Sequence, residues 1–350
     1  MDSKILEATI KSLDKEFGEG SVLSGTSVSP YDDVLPTGSL GLDRALGIGG
    51  YPMGSIIEVY GAPAAGKTTL ALHAIAKAQE KGELCLFVDV EHGLDPQYAE
   101  QLGVDMGEIL IAQPTYAQEA LTIVDKLART GNIGLIIVDS VAALVPKEEL
   151  DGDVHKDHVA RQARIMSQFL RRITGFVHKT GCLVIFVNQT RQKIGMSYGN
   201  PETTAGGTAL RFYAHARLEV KTVTKLKDGD DIVGNRVRVK VVKNKHSAPY
   251  KEAEFDLLFG KGIDNYAEVL DIALENGIIK QSGAWFKLGE ENIAQGRHNA
   301  IGYLMNDDEA YNSIMEEILV NNDSEEAQID DTEDLDSHGE ESIPELQGTG

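Results

Sequence analysis

The chain has 350 residues, with 33 Lys and Arg against 55 Asp and Glu and a formal net charge of −22. That length suits one large domain with a smaller one beside it, and the composition is that of an ordinary soluble globular protein. The longest apolar runs, such as GLIIVDSVAALV, carry an aspartate and fall short of a membrane span. The charge is uneven: residues 323–350 hold 11 acidic and no basic side chains, while the remaining 322 residues carry 33 basic against 44 acidic groups. Neither part is the basic domain that usually marks nucleic-acid binding, so any such role must rest on local patches. The opening MDSKILEATI lacks the pattern of a secretory signal. Cys85 and Cys182 lie in apolar, strand-like runs with no second Cys or His at metal-ligand spacing. They read as buried small hydrophobes in a reducing compartment, which predicts the cytoplasm and no membrane association.

In chain order, Leu6, Ile10, Leu13 and Phe17 form a single helical stripe that FGEGS terminates. Such a helix must dock on its own body or on a neighbouring subunit. From about 34 to 264, SIIEVY, LCLFVDV, GLIIVDS and CLVIFVN are short, Val- and Ile-rich and apolar throughout, as strands covered on both faces should be. Between them run KTTLALHAIAKAQEKG, AQEALTIVDKLARTG and ARIMSQFLRRITGFVHKTG, each helical in period and closed by glycine. Strand–helix–strand repetition predicts a parallel sheet with right-handed crossovers. RLEVKTV, RVRVKVVKNK and AEFDLLF then follow with only loops between them, predicting antiparallel strands on one edge. A smaller α+β unit is expected over 265–322, with the single Trp, Trp285, and a last helix near EAYNSIMEEILV. The acidic stretch 323–350 holds too little apolar surface to fold alone.

The chemistry concentrates at the ends of the buried strands. GAPAAGKTT follows SIIEVY and opens a helix, matching the phosphate-loop pattern G-x-x-x-x-G-K-[ST] over Gly61, Ala62, Pro63, Ala64, Ala65, Gly66, Lys67, Thr68 and Thr69. The glycines let backbone N–H groups turn inward as an anion nest at a helix N-terminus. Lys67 is expected on the β- and γ-phosphates of ATP and Thr68 on Mg²⁺; the plainer alternative is a Gly-rich helix cap. Asp139 closes GLIIVDS at the carboxyl end of a strand, where open sheets bind ligands, and suits the same metal. Glu91 follows LCLFVDV and is placed to activate a water; Asp89, within the strand, is its rival, and the pattern alone does not separate them. Gln189 ends another strand as a neutral amide, able to hydrogen-bond a γ-phosphate oxygen and so to report it. In RVRVKVVKNK the alternation slips at Val242, so Lys243 and Lys245 leave the face shared by Arg236, Arg238 and Lys240. Most such strands are simply half-solvated; these two lysines would also suit a phosphate in a neighbouring subunit.

One segment has no ordinary structural purpose. NQTRQKIGMSYGNPETTAGGTALRF, residues 188–212, has little to bury, and long loops without structure of their own are usually functional or disordered.

With these pieces in order, the chain resembles the bacterial RecA recombinase family, as a diverged member, bacterial or phage-encoded. The likeness runs from FGEGS near residue 17 to about residue 300 and is carried by TGSLGLDRALGIGGYPMG, EHGLDP, VDSVAALVPK, GNPETTAGGTAL and VKVVKNK. It implies an α/β, RecA-like phosphate-loop NTPase core (34–264) with a mostly parallel sheet flanked by helices. An N-terminal oligomerisation segment (1–33), a small C-terminal domain (265–322) and a disordered acidic tail (323–350) would complete the chain. The implied activity is an ATP-dependent, Mg²⁺-requiring recombinase that forms head-to-tail homo-oligomeric filaments on single-stranded DNA and exchanges strands with double-stranded DNA. Repressor or mediator proteins are further partners of such a protein. The resemblance assigns Glu91 as the catalytic glutamate, Asp95 and Tyr98 to the adenine side, Gln189 to the γ-phosphate, and Lys243 and Lys245 to the subunit boundary. It places DNA-binding loops at 151–159 and 190–205, drawing in Val159, Arg191, Lys193, Ile194, Tyr198, Gly206 and Gly207, with Arg164, Arg171 and Arg211 nearby. Departures from the family pattern are Ala62-Pro63-Ala64-Ala65 in place of a Pro-Glu-Ser-Ser type loop, Lys156 and Arg161 in the first DNA loop, and Gln192 and Ser197 in the second. Two other readings share these motifs: a ring-forming helicase-type motor, and a DNA-binding filament scaffold whose nucleotide is structural.

Overall fold

A computed structural model describes residues 3–18, 21–22, 33–151, 159–192 and 202–333. These divide into two compact units, one drawn from 1–38, 42–222 and 238–253, the other from 39–41, 223–237 and 254–350. Segments 39–41, 223–237 and 254–264, the last two carrying parts of the later strands, thus fall in the second unit.

The first unit begins with helix α1 (Ser3–Phe17), whose stripe stays open: Leu6 and Phe17 are each 63% exposed. A short ribbon of β1 (Val34–Leu35) and β2 (Tyr51–Pro52) flanks α2 (Leu40–Leu46). The alternating region then runs β3 (Ile56–Gly61), α3 (Lys67–Glu80), β4 (Cys85–Asp89), α4 (Pro96–Gln101), β5 (Ile109–Ala112), α5 (Ala117–Ala128) and β6 (Leu135–Asp139). It continues through α6 (Lys147–Leu150), α7 (Val159–Thr180), β7 (Leu183–Gln192), β8 (Glu202–Thr204), α8 (Ala209–Tyr213), β9 (Ala216–Asp228), β10 (Asp231–Asn244) and β11 (Glu252–Leu258). The strand order is β5-β4-β6-β7-β3-β9-β10-β11.

All pairs from β5 to β9 are parallel. The three strands expected on one edge, β9, β10 and β11, lie together there, and β9 joins them to the parallel sheet by pairing parallel with β3. Each of β3, β4 and β6 is buried along its whole length, which is why their sequences show no alternation. On one face α5 and α7 cover the sheet: Leu121 and Val124 meet Phe169, Ile173, Val184 and Phe186. Phe169 and Phe186 stack edge-to-face with centroids 6.3 Å apart, a pairing worth about 1 kcal/mol beyond its area. Both cysteines are buried and unbonded to one another.

In the second unit β12 (Gly262–Ile263) pairs antiparallel with the end of β11, and α9 (Asn265–Glu275) follows. A three-stranded antiparallel sheet of β13 (Ile279–Ser282), β14 (Trp285–Leu288) and β15 (Glu291–Gln295) packs with α10 (Arg297–Asn306) and α11 (Asp308–Glu333). Buried Glu268 accepts from Ser39 Oγ at 2.5 Å and from the amides of Leu40 and Gly41, tying segment 39–41 to α9. Helix α11 continues past residue 322 to Glu333, into the stretch expected to lack structure; residues 334–350 lie outside the described part. Among the described residues no helix is long and apolar enough to cross a membrane.

Candidate active site

Register assembles the site. Parallel pairing sets Gly61 of β3 level with Gln189 of β7, and Asp89 of β4 level with Asp139 of β6. Four carboxyl-terminal strand ends therefore meet at one edge, where open α/β sheets bind ligands.

From Gly61 the chain turns through Ala62–Ala65 into α3, whose N-cap Gly66 is left-handed at φ 99°. A Cβ on Gly61 would lie 2.2 Å from the Val220 carbonyl oxygen, so the loop leaves β3 where only glycine fits. Ala64 is also left-handed, at φ 58°, at a cost of about 1 kcal/mol. Alternation of hand along this backbone makes an N–H-lined concavity, formed here without the family's Glu and Ser side chains. Lys67 is buried and donates to the Ala62 carbonyl at 2.7 Å. Burial pushes its ammonium pKa down, against the pull of Asp139 and Glu91.

Thr68 Oγ1 donates to Asp139 Oδ2 at 2.6 Å. Burial raises the Asp139 carboxyl to about 6, with the Thr68 hydrogen bond acting in the opposite sense. Among the described residues no cluster of three or more His, Cys, Asp or Glu could hold a metal unaided. A hydroxyl and a carboxylate beside a phosphate loop are the hard-oxygen pair that Mg²⁺ takes, its other positions going to phosphate and water. The donor set fits that ion.

Asp89 and Glu91 now separate. Asp89 is buried, and its carboxylate accepts from the amides of Gly93 and Leu94 at 3.0 and 3.3 Å and from Gln113 Nε2 at 3.1 Å. It is spent on shaping the loop that carries Glu91. Glu91 is exposed toward the phosphate loop's side of the sheet, and its Oε1 accepts from Gln189 Nε2 at 2.9 Å and from Ser140 Oγ. Sequence reasoning misses Ser140; its only signal is that it follows Asp139.

Asp95 caps α4 by accepting from the amides of Gln97 and Tyr98 at 2.9 and 3.3 Å. The Tyr98 hydroxyl lies 2.9 Å from Thr69 Oγ1, so α4 is pinned beside the first turn of α3. Lys243 donates to the carbonyls of Arg211 and Phe212 at the end of α8, at 2.8 and 2.9 Å. Burial, with Lys245 adding to it, lowers its pKa to about 8. Lys245 is exposed, and its amide is held by the His215 carbonyl at 2.9 Å. Within one chain, neither lysine is brought to the phosphate loop by any hydrogen bond among the described residues.

Arg164 and Arg171 are seven residues apart on the exposed face of α7, and line a cavity of about 900 Å³ with Arg161, Arg172, Phe169 and Asp125. Val159 is the first residue of α7. The second loop is more regular at its ends than its composition suggests: Thr190–Gln192 pair antiparallel with Glu202–Thr204, setting exposed Arg191 opposite Thr203. Arg211 Nη2 donates to Thr203 Oγ1 at 2.7 Å. Gly206 and Gly207 are both left-handed at φ 81°, and a Cβ on Gly207 would sit 2.6 Å from Ala163 Cβ of α7. They permit close packing as well as a turn. Lys193, Ile194 and Tyr198 lie outside the described residues, as do 152–158 of the first loop.

Comparison with known proteins identifies the family. Residues 4–264 match the RecA N-terminal domain and residues 267–322 the RecA C-terminal domain. Protein RecA of Mycobacteroides abscessus is 51% identical over 316 residues, covering 90% of this chain and 91% of that one. Protein RecA of Azospirillum lipoferum is 50% identical over 320 residues (91% and 89%), and that of Ruegeria pomeroyi 47% over 334 residues (95% and 96%). Over nearly its whole length, then, this chain belongs to the RecA family of DNA recombinases, which are DNA-dependent ATPases.

Proposed function

We propose that the cluster of Lys67, Thr68, Asp139, Glu91 and Gln189 is the ATPase centre of this recombinase. Lys67 neutralises the β- and γ-phosphates, with the amides of Ala62–Gly66 around them. Thr68 and Asp139 would hold Mg²⁺, which supplies charge neutralisation on the phosphate oxygens. Glu91 takes a proton from the attacking water, oriented by Ser140 and Gln189. Asp95 and Tyr98 border the adenine side. Lys243 and Lys245 reach the phosphates of the adjoining subunit, so nucleotide lies between protomers and a head-to-tail contact propagates as an open helix. The open stripe of α1 docks on that neighbour.

DNA contacts fall to the two loops and their flanks: Val159, Arg164, Arg171, Arg191, Lys193, Ile194, Tyr198, Gly206, Gly207 and Arg211. Ile194 and Val159 wedge between bases to stretch the strand. Repressor or mediator proteins are further partners, and the cytoplasm is the site of action.

The observation that carries this reading is the hydrogen bond from Gln189, at the mouth of the second loop, to Glu91 at 2.9 Å, which joins the loop to the hydrolytic carboxylate. Phosphate release measured with and without single-stranded DNA tests it. DNA is expected to raise turnover at least about tenfold, a coupling of about 1.4 kcal/mol. Equal release in both conditions would favour the scaffold reading, with a structural nucleotide.

A further inference from the structure

Immediately before Gln189 the apolar strand β7 carries Asn188, a fully buried amide that the sequence gives no reason to expect there. Its register partner on β3 is Tyr60, and Glu58, two residues back, is fully buried on the same sheet face. Asn188 Nδ2 donates both to Glu58 Oε1 at 2.9 Å and to the Ala205 carbonyl at 3.0 Å. Asn188 Oδ1 accepts from the Gln189 amide at 2.9 Å. Glu58 is fixed in turn by Arg217, whose Nε donates to Oε2 at 2.5 Å and whose guanidinium lies 4.6 Å from the Tyr60 ring centroid.

This arrangement leaves the amide one orientation. Glu58 and the Ala205 carbonyl are acceptors, so the NH₂ group must face them and the oxygen must face the Gln189 N–H. Ala205 closes the second loop just before Gly206 and Gly207, while Gln189 opens it. One buried side chain therefore grips both ends of the loop and references them to the centre of the sheet.

We propose that Asn188 is a positioning residue that couples the second loop to Gln189. Displacement of the 203–207 segment when DNA occupies the loop moves the Ala205 carbonyl, turns the Asn188 amide, and shifts the Gln189 backbone that aims its side chain at Glu91. The Glu58–Arg217 pair is the fixed point against which the amide turns. This rests on the reading of Gln189 as the residue that senses the γ-phosphate.

The test is the double variant Glu58→Gln with Asn188→Asp in the full-length chain. It moves a negative charge from β3 to β7 without adding one. The amide introduced on β3 can donate to the carboxylate introduced on β7 and accept from Arg217, and that carboxylate still accepts from the Gln189 amide. The donor to the Ala205 carbonyl is gone, and the Arg217 ion pair becomes a hydrogen bond to a neutral amide. Expected is a melting temperature within a few degrees of the unmodified protein and a KM for ATP within about twofold, with DNA-stimulated kcat at least about tenfold lower. Stimulation within about twofold of the unmodified protein would overturn the proposal, since coupling would then persist without the contact from residue 188 to the Ala205 carbonyl. Gln189→Ala, run in parallel, separates the premises: if it leaves stimulation intact, the reading of Gln189 fails; if it abolishes stimulation while the double variant does not, only the role of Asn188 fails. Should the double variant not fold, hydrogen exchange on the unmodified protein decides. A change in protection of the Gln189 amide when single-stranded DNA binds supports the coupling, and an unchanged Gln189 amide refutes it.

Discussion

Asp89 ends β4 and Glu91 follows two residues later in the loop, and no pattern in the sequence ranks them as bases. Their surroundings do. Asp89 spends both oxygens on loop amides and Gln113, whereas Glu91 is exposed and receives Ser140 and Gln189 on a single oxygen. Replacing Glu91 with Gln should leave ATP binding within about twofold yet reduce DNA-stimulated phosphate release by roughly 100-fold or more, the scale of a lost general base. Asp89→Asn should instead weaken the loop's order and raise KM. Lys243 offers a pH signature. Its pKa is lowered to about 8, so it is charged below that value and neutral above it. If it stabilises phosphate charge across the subunit boundary, kcat should be flat from about pH 6.5 to 7.5 and fall as pH rises through 8. Lys243→Arg, charged throughout, should remove that limb; an unchanged limb assigns the titration elsewhere. Lys67 and Thr68 were legible because a phosphate loop is contiguous in sequence. Ser140, Asn188 and Glu58 were not, because their roles depend on strands far apart in the chain.

At the scale of elements, the buried strands were legible because covering both faces removes alternation, and the helices because glycines end them. Strand order was not: nothing local says that β3 inserts between β7 and β9, or that β9 stays parallel. The second loop shows the same limit. Its composition announces an irregular segment, yet its ends pair as Thr190–Gln192 with Glu202–Thr204, a contact formed by backbone rather than by side-chain pattern. Gly207 is where that element meets α7, at φ 81° with Ala163 Cβ 2.6 Å from any added Cβ. Gly207→Ala combines left-handed strain with overpacking, and should cost about 2–4 kcal/mol of stability. Thermal unfolding measures the loss, and a shift under about 2 °C would place the glycine's importance in movement instead of packing.

Over the whole molecule, the charge of −22 stood as the argument against DNA binding, and half of it lies in residues 323–350. Arg161, Arg164, Arg171 and Arg172 of α7 line one cavity together with Asp125 and Glu148, a local concentration of basic groups that the average conceals. Removing residues 323–350 should strengthen duplex binding at low salt and make little difference near 0.5 M salt, where charges are screened beyond about 4–5 Å. Titration of labelled duplex against the full-length and shortened chains reads this directly, and equal affinity at low salt would leave the acidic stretch a solubilising end. One site, spanning phosphate loop, Glu91 and Gln189, is proposed to couple ATP to the pairing of homologous DNA. The most direct test is strand exchange between a single-stranded circle and a homologous linear duplex, with Lys67→Ala beside the unmodified protein. Joint molecules and exchanged products from the unmodified chain, absent with the variant and with heterologous duplex, are the predicted result. Exchange that persists in Lys67→Ala, or none from the unmodified protein with ATP and Mg²⁺ present, would contradict it.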